Sequence, residues 1–159
     1  MRKFYSFIFL LLSHYISIAQ CETSGFKYTN LTIEDGLPSN EVHDSYQDET
    51  GNLWLATDHG GAVFDGEKII RKFDVKNGLV DNTVFKIYED YKGRIWFITH
   101  RGGVCYFDGK QIITPAFNNK LLSLQEGPNY VMQIHVDSLN IYLSNRYSCN
   151  YYFNVSEYG

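Results

Sequence analysis

The chain has 159 residues, a formal net charge of −4 and 44% hydrophobic residues, enough for one compact domain. That acidic balance provides no basic face for phosphate neutralisation, which excludes nucleic acid as a partner. Aromatic residues make up 16% and 13 Gly stand against 3 Pro, the profile of a protein built from strands and turns.

In chain order, residues 1–19 come first and stand apart. Met1-Arg2-Lys3 is a short basic start, Phe4 to Leu12 is an apolar run, and Ser17 and Ala19 are small residues near its end. This is the layout of a secretory signal peptide cleaved after Ala19, and the run is too short to span a bilayer. Cys21 follows closely, but Gln20 occupies the place where a lipoprotein signal wants a small residue, so lipidation is the weaker reading. Residues 20–159 are then exported and soluble. Export permits disulfides, but the three cysteines, Cys21, Cys105 and Cys149, are odd in number and lack metal-ligand spacing. Cys105 falls in an apolar strand pattern and reads as a small buried hydrophobe.

Gly25 to Glu34 reads as a lone outer strand. After it the chain writes one sentence twice, over 36–75 and 78–117. Without gaps, Gly36, Asn40, Asp48, Gly51, Trp54, Thr57 and Gly60 fall on Gly78, Asn82, Asp90, Gly93, Trp96, Thr99 and Gly102. Each copy reads as a strand, an Asp-x-x-Gly hairpin, a nearly continuous apolar strand around the Trp, a Gly-Gly turn and two returning strands. A period of about 40 to 45 residues made of short strands points to blades of a β-propeller. A degenerate third unit over 128–159 keeps Val131, Ile134 and Asp137, with Tyr142 where the Trp stood. The fold class is therefore all-β: about three four-stranded antiparallel blades of a larger ring, with 25–34 as the strand that closes it. An arc would leave the Trp54 and Trp96 faces only partly covered.

In such a meander the turn before strand one and the turn between strands two and three share one rim. The repeated residues serve the blade, Asn40 and Asn82 as turn caps and the tryptophans as packing. The non-repeated Asp58, His59, Asp81, His100 and Arg101 are the candidates for ligand contact. Hydroxyl- and amide-rich loops of mixed charge suit a sugar. Asp48 and Asp90 are a tempting carboxylate pair, but each sits in a hairpin at the opposite rim and reads as a turn residue. No residues have catalytic or metal-ligand spacing, and no cofactor is implied.

The string "DGLPSN…V…D…GNLWLAT…GG…FDG" and its second copy resemble the two-component regulator propeller repeat of bacterial hybrid two-component systems. The resemblance covers roughly Phe26 to Phe153 and is strongest over Gly36 to Gly109. It implies a periplasmic sensor of a Bacteroidetes-type bacterium, plausibly reading an oligosaccharide. Its partners would be further blades, a downstream signalling domain absent from this chain, and a second subunit in a dimer. A non-enzymatic protein-interaction propeller is the first alternative, and a polysaccharide lyase or glycosidase propeller the second.

Overall fold

The computed structural model describes residues 28–101, 103–123, 131–145 and 150–154. The expected signal peptide, Cys21, Gly102 and Cys149 lie outside them. Residues 1–30 and 31–159 separate into two compact units.

Two four-stranded meanders follow one another. The first comprises β1 (Val42–Gln47), β2 (Leu53–Thr57), β3 (Gly60–Phe64) and β4 (Ile69–Phe73). The second comprises β5 (Val84–Glu89), β6 (Ile95–Thr99), β7 (Val104–Phe107) and β8 (Ile112–Ile113). A short helix, α1 (Asn118–Ser123), leads to a third sheet of β9 (Val131–Val136), β10 (Asn140–Asn145) and β11 (Asn150–Asn154). All pairings are antiparallel and sequential, as hairpin turns demand. The third unit has three strands among the described residues, in line with a truncated blade.

The repeat is exact in register. Trp54 lies opposite Tyr46, Trp96 opposite Tyr88, and Tyr142 opposite His135. The loose alternation of the first strands has a physical cause: each carries an irregularity at the same place, between Val42 and Asp44 and between Val84 and Lys86. One extra residue shifts the side-chain parity there. β6 is buried along its whole length, which explains its unbroken apolar run.

Packing runs from sheet to sheet. Trp54 clusters with Phe73 of its own sheet and with Leu79, Ile95, Phe97 and Phe107 of the next. Trp96 clusters with Phe117 and Leu121 around α1 and with Val131, Ile134, Ile141, Leu143 and Phe153 around the third sheet. Both tryptophans are covered, at 6% and 1% exposure, contrary to the expectation of half-bare faces. Their neighbours in sequence supply the cover, each fully buried large side chain contributing roughly 1.5–3 kcal/mol. The uncovered equivalent is Tyr142, 43% exposed. Cys105 is buried inside the first cluster, and burial pushes its thiol up to about 11.

Of the segment 25–34, residues 25–27 lie outside the described residues and 28–34 depart from the strand expected of them. Residues 28–32 form no strand, and Ile33–Asp35 is a 3-10 turn. Thr32 and Asp35 cap that turn reciprocally, and Gly36 ends it in the left-handed region at φ 101°. The second copy repeats the device over Val75–Asn77, with Asp74 and Asn77 as caps and Gly78 at φ 112°. Within Thr32–Gly36 the backbone groups bond inside the turn, which is incompatible with a strand there.

Candidate functional site

The rim forms as the topology requires. Asp58 N–H donates to the Glu41 carbonyl at 3.2 Å, and in the second copy His100 N–H donates to Thr83 at 2.8 Å. Each bond ties the turn after strand two to the residue just before strand one.

The repeated polar residues are spent on the fold. Asn40 Oδ1 accepts from Ile33 N–H at 2.9 Å and Asn82 Oδ1 from Val75 N–H at 3.0 Å, fastening each Gly-Leu loop to its 3-10 turn. The buried Thr57 and Thr99 hydroxyls donate to the Gly60 and Gly103 carbonyls across their turns. At the opposite rim Asp48 accepts from Thr50, Asn52 and the Trp54 indole, and Asp90 from Lys92, Arg94 and the Trp96 indole. Burial works to raise the Asp48 carboxyl, but the bonds from Thr50, Trp54 and Asn52 prevail and hold it below its ordinary value. Both carboxylates thus spend their oxygens on the hairpin and the following strand.

The non-repeated residues form a different set. Asp58 faces two imidazoles, His43 Nε2 at 3.8 Å and His59 Nδ1 at 3.6 Å. Asp81 pairs with Arg101 Nε at 3.3 Å, where the arginine is largely exposed. Asp58 and Asp81 thus have different partners, imidazoles for the one and a guanidinium for the other. His100 meets Phe85 edge-on at 5.3 Å, and Phe85 meets His43 edge-on at 5.2 Å. This row of rings carries the rim from the first sheet to the second. Two polar bonds cross the same junction: Thr83 Oγ1 donates to the Asp58 carbonyl at 3.2 Å, and Ile87 N–H to Asp44 Oδ2 at 3.1 Å.

Sequence reasoning missed His43 and Phe85. Both lie on first strands just where the irregularity hides side-chain direction. His43 Nε2 is a buried nitrogen with no hydrogen-bond partner. The arrangement brings imidazole, carboxylate, guanidinium and ring faces to one rim. Among the described residues no group of three or more His, Cys, Asp or Glu is placed to hold a metal ion. No helix among them is long and apolar enough to cross a membrane.

Comparisons with known proteins bear on the repeat and the fold. The family model described as "Two component regulator propeller" matches residues 36–59 and 78–101. The chain is similar in structure to the extracellular domain of a protein described as the hybrid two component system BT3049 of B. thetaiotaomicron. The TM-score is 0.58 and identity 23%, over 82% of this chain and 19% of that one. Two structures of the BT4673 extracellular domain, from the same bacterium, also match. One, described as a one component system, has TM-score 0.55 and 17% identity, over 74% of this chain and 17% of that one. The other, described as a hybrid two component system, has TM-score 0.52 and 19% identity, over 72% and 16%. The chain thus spans about a fifth of the length of the structures it resembles. No curated protein matches it. The likeness in structure is one of fold, an unclosed run of propeller blades. Residues 36–59 and 78–101 match the two-component regulator propeller repeat, and the fold around them is that of propeller blades.

Proposed function

We propose that this chain is an exported sensory segment of a two-component regulator, which binds an oligosaccharide without turning it over. Asp58, His59, Asp81, His100 and Arg101 contact the ligand. The remaining blades and a downstream signalling domain, in a dimer, carry the message onward. One observation supports this reading above the others. Neighbouring copies of a matched repeat differ at the rim, with Asp58-His59 in one and His100-Arg101 in the next, while their blade residues coincide. Side chains released from a structural duty are the ones free to recognise something. Occupancy would shift the setting of one blade against the next, and with it a signalling equilibrium.

The test is a glycan array probed with the full chain, followed by titration of any binder. Asp58→Ala/His59→Ala and His100→Ala/Arg101→Ala double variants should each weaken binding at least tenfold, and no sugar product should appear. Unchanged affinity in both variants, or turnover of the sugar, would overturn the proposal.

A further inference from the structure

Each junction between sheets joins two unlike faces. In the first, Trp54 and Ala56 of one sheet meet Leu79, Ile95, Phe97 and Phe107 of the next. Phe73 completes the contact, stacked on Trp54 at 5.7 Å and tilted against Phe97 and Phe107 at 5.3 Å each. In the second, Trp96 and Ile98 meet Ile134, Ile141, Leu143 and Phe153. The first and third sheets each hold one further half of such a junction.

On the first sheet, Leu37, Leu53, Leu55 and Phe64 occupy the positions of Leu79, Ile95, Phe97 and Phe107, and Leu31 falls on Phe73. They form a cluster of their own, but among the described residues no counterpart of Trp54 or Ala56 joins it. Leu53 and Phe64 are accordingly half-buried, whereas Ile95 and Phe107 are buried. On the third sheet the missing counterparts stand without cover. Tyr142, Ser144 and Tyr152 hold the register of Trp96, Ile98 and Tyr106, and the two tyrosines are 43% and 74% exposed. A hollow of about 340 Å³ lies among their side chains, Gln133 and His135.

We propose that two copies of this chain associate head to tail, the third sheet of each covering the first sheet of the other. The two half-junctions complement each other and not themselves, so a second copy supplies both missing halves by the contact already made twice within the chain. Tyrosine in place of tryptophan suits a face that stands in water before it is covered, because its hydroxyl stays solvated at a joint between separate molecules. Two copies of three sheets make a ring of six, within the usual range of about 4–8 blades, whereas three copies would exceed it. An unlike-face contact that closes in this way leaves no end bare. The partner copy would supply the remaining blades named above, but the inference rests on the two half-junctions alone, and its test uses no sugar.

Sedimentation equilibrium of the full chain should give twice its mass of 18.4 kDa. Tyr152→Glu, at an exposed position, should raise the dissociation constant roughly tenfold or more while leaving the circular dichroism spectrum unchanged. Leu53→Glu should do the same from the other face. An equimolar mixture of the two variants should regain dimer, since one untouched third sheet still meets one untouched first sheet; pairing of like faces gives no such recovery. Should Leu53→Glu fail to fold, Tyr152→Phe, which keeps the ring, must retain the dimer that Tyr152→Glu loses. A monomeric parent chain, a series of larger open assemblies, a dimer indifferent to Tyr152→Glu, or folded variants whose mixture does not recover overturns the proposal.

Discussion

The indole of Trp96 donates to Asp90 Oδ2 at 2.8 Å, and the two are six positions apart in sequence. Trp54 and Asp48 repeat the bond at the same distance. Each hairpin thus curls back so that its first residue anchors the largest side chain of the following strand. In the third sheet Asp137 holds its turn instead, accepting from the Leu139 and Asn140 N–H groups at 2.7 Å each. Its carboxyl is held low chiefly by the Leu139 and Asn140 backbone N–H groups, and the Tyr142 hydroxyl adds to them.

The two aspartates are unequal, however. Asp90 is buried and also holds Arg94, whereas Asp48 is half-buried and has no basic partner among the described residues. Asp90→Ala should therefore cost about 3 kcal/mol and Asp48→Ala about 1–2 kcal/mol, the usual scale for charged acceptors with different burial. Urea unfolding followed by tryptophan fluorescence measures both, and equal losses would contradict the assignment.

Gly60 and Gly66 both take positive φ, at 124° and 99°, but their surroundings differ. A Cβ at Gly60 would run into the Phe73 carbonyl, whereas one at Gly66 meets nothing within 4 Å. Gly66→Ala should cost roughly 1–2 kcal/mol, the strain of the left-handed region alone. Gly60→Ala should break the pairing of β3 with β4 and leave little folded protein. Thermal melts of the two variants distinguish these outcomes.

Acid should loosen the turns together. The Asp65 carboxyl is held below its ordinary 3.8 by the Lys68 and Glu67 backbone N–H groups. Asp108 is held low by Gln111 and Lys110, and Asp48 by the bonds already described. A depressed folded-state value means stability that is present above pH 3.8 and lost as pH falls through the lower folded values. Unfolding midpoints should hold steady through mild acid and drop below about pH 4. A flat profile into strong acid would disprove this.

Alkali acts at the other end. Tyr46 is pushed up to about 12, first by its hydrogen bond to Glu89 and then by burial. Its contribution is complete below its ordinary 10.0 and disappears as pH rises through about 12. Phenolate absorbance should show one tyrosine titrating late, and Tyr46→Phe should remove that late fraction.

Much of the fold was legible because its signals are local. The paired Gly turns, the Asp-x-x-Gly hairpins and the apolar runs around Trp54 and Trp96 each act within a few residues, and two copies cross-check each other. The 3-10 turns at Ile33–Asp35 and Val75–Asn77 were harder. Their caps, Thr32 with Asp35 and Asp74 with Asn77, share a role but not an identity, so alignment passed over them. Helix α1 was missed because its two buried anchors, Phe117 and Leu121, are too few to show a helical period. Of the candidate site, the rim followed from topology, and with it Asp58, His59, Asp81, His100 and Arg101. The ring row through His43 and Phe85, and the tyrosine bonds between sheets, join residues some forty positions apart. No local pattern records such distances.

The junction between the first two sheets differs from one side to the other. Along β1 and β5 it is closed by directional bonds: Thr83 to Asp58, Ile87 to Asp44, Tyr46 to Glu89. Around β4 and β7 it rests on sliding surfaces, with Arg71 4.7 Å from the Phe107 ring centre and Phe73 5.3 Å from it. A bonded seam on one side and a greasy one on the other make a hinge with its pin along β1 and β5. Under load the two sheets would open like the covers of a book, spine held, rather than slip past each other.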